Sequence, residues 1–165
     1  MISLSSLNAM PDEEFIRALG AIFEHSPWVA RAVASARPFS SVQALHSAMV
    51  QAVGDAGLEP QLALIRAHPD LGAKLKMTDQ SVSEQSGAGL DRLSPELFQR
   101  FTRLNDTYRS RFGFPFIIAV RNHTRSSILD HFEQRLLNDA DRERETALLE
   151  IAEIARFRLL DLIEV

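Results

Sequence analysis

The sequence predicts an all-α fold, a single compact helical domain of about seven or eight helices spanning residues 1–165. Three observations carry that expectation. Apolar residues recur mostly three and four positions apart, no stretch alternates apolar and polar residues as a half-buried strand would, and 45% hydrophobic residues in 165 suffice for one continuous core.

The elements follow in order. Phe15, Leu19, Ile22 and Phe23 form one helical face. Pro11 and the acids Asp12, Glu13 and Glu14 suit its first turn, where a missing N–H costs nothing and negative charge opposes the dipole. A second helix starts at Pro27, a third runs from Ser41 to about Ala56 and is closed by Gly54 and Gly57, and a fourth spans Pro60 to Ala67. The His68-Pro69 pair stops it, because the residue before proline disfavours the helical region. From Asp70 to Asp91, Gly72, Gly87 and Gly89 break any periodicity, so this stretch reads as loop around one short helix near Ser81–Gln85. Ser94 and Pro95 open a helix through Phe98, Phe101, Leu104 and Tyr108, which Gly113 ends. Phe112–Val120 is apolar, but Pro115 argues for a buried extended connector rather than a central strand. Ile128, Phe132, Leu136 and Leu137 mark a helix from Thr124 to about Asn138, and Asp139 or Asp141 caps a last one through Leu162.

Composition excludes several functions. The chain has no cysteine, which removes disulfides, thiolate metal sites and a cysteine nucleophile. No segment approaches the roughly 18 uninterrupted apolar residues of a membrane span. The net charge of -4 is spread over interleaved acids and bases, with no basic stripe for a phosphate backbone. A cytoplasmic protein with no nucleic-acid or membrane partner is the expectation. The histidines His25, His46, His123 and His131 lack ligand spacing, so no metal site is expected.

Three groups of residues could carry chemistry. His68 sits where a helix stops and a polar loop begins, and a neutral imidazole accepts a proton near neutral pH. On spacing alone, a helix-ending pair with a hydrogen-bonded ring is the readier reading. Ser81 and Glu84 share a helical face, with the amide of Gln85 beside them, but Ser followed three later by Glu is also an ordinary capping box. Arg121 follows a long apolar run, so core packing is expected to hold its stem while the guanidinium reaches a pocket; a surface salt bridge is the other reading.

Taken together, RAHPDLG at 66–72, SVSEQSGAGL at 81–90 and FGFPFIIAVR at 112–121 resemble 2-oxo-4-hydroxy-4-carboxy-5-ureidoimidazoline (OHCU) decarboxylase. FEHSPWVA around Trp28, RPF at 37–39, LNDTY at 104–108 and EIAEIARFRL near the C-terminus extend the likeness over nearly the whole chain. The resemblance implies an all-helical homodimer that decarboxylates a small-molecule substrate to (S)-allantoin in urate breakdown, with no metal and no organic cofactor. It places the catalytic histidine at His68 and the catalytic glutamate at Glu84. Substrate contacts fall to Pro69, Ser81, Gln85 and Arg121, and to the main chain of Phe116, Ile117 and Ile118, whose side chains would pack. Asn122-His123 departs from the small residue usual after the arginine and touches the loop beyond the pocket. The final Ile163-Glu164-Val165 is no peroxisomal address, in keeping with a cytoplasmic enzyme. Two rivals remain: a noncatalytic module whose Ala147–Leu162 helix docks a partner, and a same-fold enzyme acting on another ureido or purine-derived compound.

Overall fold

A computed structural model of the chain describes residues 1–72, 84, 90 and 93–165. Among these are eight α-helices, here α1 (Leu4–Ala9), α2 (Asp12–Leu19), α3 (Trp28–Val33), α4 (Val42–Asp55), α5 (Leu58–Arg66), α6 (Pro95–Phe112), α7 (Arg125–Arg135) and α8 (Ala140–Leu162). The all-α expectation holds. None of these helices is long and apolar enough to cross a membrane. The residues group into two units, Met1–Ala67 with Ala152–Val165, and His68–Ile151.

In the first unit, serine oxygens start two of the helices. Ser3 accepts from the Ser6 N–H at 3.1 Å to cap α1, and Ser41 accepts from the Ala44 N–H at 3.0 Å to cap α4. Phe15 and Leu19 of α2, Leu45 and Met49 of α4, and Leu64 and Ile65 of α5 are buried together with Leu159 and Ile163. One ion pair is buried among them, Arg158 to Glu24 at 2.8 Å. Asn8 clips Phe39 in both directions: its Nδ2 donates to the carbonyl at 2.9 Å and its Oδ1 accepts from the N–H at 2.8 Å.

Four details differ from the sequence reading. The apolar face of Phe15, Leu19, Ile22 and Phe23 is buried as expected, but α2 ends at Leu19. At Gly20 the chain passes so close to itself that a Cβ would stand 2.9 Å from the Ile16 carbonyl and 3.5 Å from Pro27 Cβ. Helix α5 starts at Leu58, ahead of Pro60, which is tolerated because first-turn N–H groups have no intrahelical acceptor. The chain also contains a small sheet that the sequence reading does not expect: Ile2–Ser3 pairs in parallel with Ile163–Glu164, Ile2 opposite Ile163. Helix α1 is likewise unanticipated.

The second unit matches its expected helix starts, but α7 stops at Arg135 rather than near Asn138, so Leu136 only caps it and Leu137 is exposed instead of on the apolar face. Ser94 accepts from Leu97 N–H at 3.2 Å with Pro95 at the first helical position of α6, and Gly113 at φ 77° closes it in the left-handed region where a side chain is strained. Thr124 and Ser127 form a reciprocal capping box on α7. Asp139 accepts from Arg142 N–H at 2.8 Å at the head of α8. The connector between α6 and α7 is buried throughout, from Phe114 to Val120, and its middle has no regular secondary structure.

Candidate active site

His68 opens the second unit and is buried, at 7% exposure. The residues after it are tied to α6. Asp70 accepts from Arg109 Nη2 at 2.8 Å, and the Leu71 carbonyl accepts from Asn105 Nδ2 at 2.8 Å. Asn105 and Arg109 are four apart, so a single face of α6 holds the loop at two successive points. Gly72 then turns at φ 71°, where a Cβ would stand 3.3 Å from Leu93 Cδ1. A loop that would otherwise expose its main chain is thereby held against a helix, with Pro69 half-buried next to the imidazole.

The connector is held from the other side of the sequence. Phe116 stacks on Phe132 of α7 with ring centres 3.9 Å apart and receives the edge of Tyr108 at 5.3 Å. Arg135 Nη1 donates to the Ile117 carbonyl at 2.6 Å, and Ala119 N–H donates to Glu150 Oε2 at 3.2 Å. Phe116, Ile117 and Ile118 are each at most 3% exposed. Their side chains are packing, as the sequence reading has it.

Glu84 is helical and half-buried. Ser81 and Gln85 lie outside the described residues, as does most of the expected Asp70–Asp91 loop. Arg121 lies in a short 3-10 turn, Val120–Asn122, and is exposed. The Val120 before it is buried. His68, Pro69, Glu84, the connector and Arg121 all belong to the one unit His68–Ile151. A cleft of about 510 Å³ in the first unit, lined by His46, Arg156 and Leu159 among others, contains none of them. Among the described residues no group of three or more His, Asp or Glu could hold a metal ion.

Sequence reasoning misses the buried polar cluster behind the connector. Glu143 Oε1 accepts from both Tyr108 Oη at 2.6 Å and Arg135 Nε at 2.8 Å, while Glu143 Oε2 accepts from Asn138 Nδ2 at 2.9 Å. Burial, then the bond to Glu143, holds the Tyr108 hydroxyl well above the usual tyrosine range, so it stays a neutral donor. A signal for this cluster does exist. Arg135 follows Ile128 and Phe132 on the apolar face of α7, and Glu143 precedes Ala147 and Ile151 on that of α8, so both charges sit at core positions.

The OHCU decarboxylase family model matches residues 8–160. The chain belongs to the OHCU decarboxylase family. A 2-oxo-4-hydroxy-4-carboxy-5-ureidoimidazoline decarboxylase from Haloferax volcanii is 49% identical over 160 residues, covering 97% of this chain and 95% of that protein. Two solved structures share the fold. A crystal structure of (S)-allantoin synthase aligns with TM-score 0.81 and 31% identity over 98% of this chain and 54% of its own. One of OHCU decarboxylase in the presence of (S)-allantoin aligns with TM-score 0.70 and 25% identity over 93% of this chain and 98% of its own. The three motifs that carry the resemblance all fall inside the matched span of this OHCU decarboxylase family member.

Proposed function

We propose that the chain decarboxylates 2-oxo-4-hydroxy-4-carboxy-5-ureidoimidazoline to (S)-allantoin, with His68 and Glu84 as its catalytic residues. Family membership carries the reaction. The buried His68, on a loop held twice by α6, is the observation that supports its catalytic role. The match over residues 8–160 supports taking the whole chain as one catalytic domain.

The substrate carries carboxylate and hydroxyl on one ring carbon, next to a carbon doubly bonded to nitrogen. When the bond to the carboxyl carbon breaks and carbon dioxide leaves, its electron pair forms a double bond to the neighbouring carbon. The imine pair then moves to nitrogen, which takes up a proton. The substrate is thus its own electron sink, the service that many decarboxylases obtain from a cofactor. The enol left behind becomes allantoin when the neighbouring carbon gains a proton on one face and the hydroxyl loses its own. His68, neutral before reaction, takes the hydroxyl proton and returns one to carbon. Glu84 and Gln85 orient the ring and ureido nitrogens, with Ser81 beside them, and orientation supplies a large part of the acceleration. Arg121 contacts ring or ureido oxygens: a tight grip on the departing carboxylate would stabilise the ground state and slow its loss. Main-chain groups of Phe116, Ile117 and Ile118 line the remaining side, next to Pro69. The resemblance also implies a homodimer, and a cytoplasmic location remains the sequence-based expectation.

Chiral chromatography tests this reading. Substrate generated in place from urate should be converted by wild-type protein to allantoin of one hand, and Glu84→Gln should cut turnover about a hundredfold. Racemic product at the spontaneous rate with folded wild-type protein would refute it.

A further inference from the structure

We propose that Arg135 and Glu150 are positioning residues that fix the two peptide planes flanking Ile118, and so set the directions of the main-chain groups this segment offers to substrate. The inference rests on the proposed function, in which that main chain lines the pocket.

The connector needs such a device. Pro115–Ala119 belongs to no helix or sheet, so no ladder of hydrogen bonds orients its peptide groups, and each plane is free to rotate unless something outside grips it. Two side chains do. Arg135 Nη1 holds the Ile117 carbonyl at 2.6 Å, which fixes the plane between Ile117 and Ile118. Glu150 Oε2 holds the Ala119 N–H at 3.2 Å, which fixes the plane between Ile118 and Ala119. In a trans peptide the C=O and N–H point in opposite directions. Holding the Ile117 carbonyl therefore aims the Ile118 N–H away from Arg135, and holding the Ala119 N–H aims the Ile118 carbonyl away from Glu150. A donor and an acceptor from one residue are set by two grips that never touch the ligand.

Stability alone accounts poorly for Arg135. A buried ion pair is often replaceable by apolar residues at no loss, because desolvation offsets the attraction. An apolar side chain cannot hold a carbonyl. The Arg135 fork serves three ends at once: Nε binds Glu143 at 2.8 Å, Nη1 binds Ile117, and the guanidinium carbon lies 4.2 Å from the Phe116 ring centre. Its Nη2 is buried with no hydrogen-bond partner among the described residues, a cost accepted in that geometry. Lysine, a single point charge, cannot reproduce the fork.

The test uses kcat/KM for allantoin formation by the full chain, with thermal midpoints measured alongside. Glu150→Met, at a half-buried position, should fold normally and lose at least about tenfold in kcat/KM, because a misplaced contact group costs that much or more. Glu150→Gln, whose amide oxygen still accepts from Ala119 N–H, should recover most of that loss. Arg135→Lys should lose at least about tenfold, whereas Asn8→Ala, which breaks the Phe39 clip in the first unit, should lower the midpoint without changing kcat/KM. Faster hydrogen exchange at Ala119 N–H in Glu150→Met is expected as well. Active wild type with undiminished kcat/KM in folded Glu150→Met and Arg135→Lys would overturn the two grips alone. Inactive wild type would instead overturn the function on which they depend.

Discussion

The Tyr108 hydroxyl donates to Oε1 of Glu143 at 2.6 Å, and both side chains are fully buried. Tyr108 is the only tyrosine in the chain, so its titration can be followed without interference. Its folded pKa is raised above the ordinary value near 10, chiefly by burial and then by the bond to Glu143. The folded state therefore keeps a proton that the unfolded chain releases. The resulting contribution to stability is fully present below about pH 10 and is lost as the pH rises further. Tyrosinate absorbance should consequently appear only together with unfolding, and Tyr108→Phe should flatten the alkaline loss of stability. A tyrosine that ionises near pH 10 while the fold persists would contradict this.

Removing Arg135 without its partner should be expensive. Arg135→Met leaves the carboxylate of Glu143 buried with one fewer donor, and urea unfolding should show a loss of about 3–5 kcal/mol. Adding Glu143→Gln, which neutralises the stranded charge and still accepts from Tyr108, should recover a measurable part of it.

His123 gives the chain an acid-side sensitivity. Burial, then the neighbouring His131 ring 4.8 Å away, lowers its pKa, while Glu150 opposes and Arg135 adds to the shift. A histidine depressed in the fold is protonated more readily when unfolded, so stability should fall as pH drops below about 6.5 and level off below the folded value. His123→Gln should weaken that dependence in chemical denaturation at a series of pH values.

The two ties on the His68 loop should differ in strength. Asp70 and Arg109 are partly exposed, so Asp70→Asn should cost at most about 1 kcal/mol, and less in high salt. Asn105→Leu strands a buried carbonyl at Leu71 and should cost about 1–3 kcal/mol regardless of salt. Urea midpoints at low and high ionic strength separate them.

What could be read from the sequence depended on whether the cause was local. Ser41, Ser94-Pro95, Thr124 and Gly113 announce helix ends by chemistry confined to one turn, and those ends fall where expected. Helix α1 has only six residues, three of them serine or asparagine, too short for a periodic pattern to stand out. The pairing of Ile2 with Ile163 joins opposite ends of the chain through two residues each, which no local pattern signals. In the candidate site, the helix end at His68 and the burial of the connector were readable because proline and apolar runs mark them. Arg135 and Glu143 were not, since their roles depend on partners in other elements, although a charge on each apolar helix face was there to be noticed. For Arg121 the sequence marked the buried apolar run before it but left two readings of the side chain open, and the residue is exposed on the turn Val120–Asn122.

Circular dichroism of allantoin formed in place reads both the reaction and the part His68 plays in it. Substrate is generated from urate with urate oxidase and hydroxyisourate hydrolase, then mixed with wild-type protein or His68→Asn, each confirmed to be folded. A rapid one-handed signal is expected with wild type and a rate reduced about a hundredfold or more with the variant. A signal of equal rate from both would remove His68 from the chemistry, and spontaneous decay unchanged by wild type would contradict the decarboxylase assignment itself.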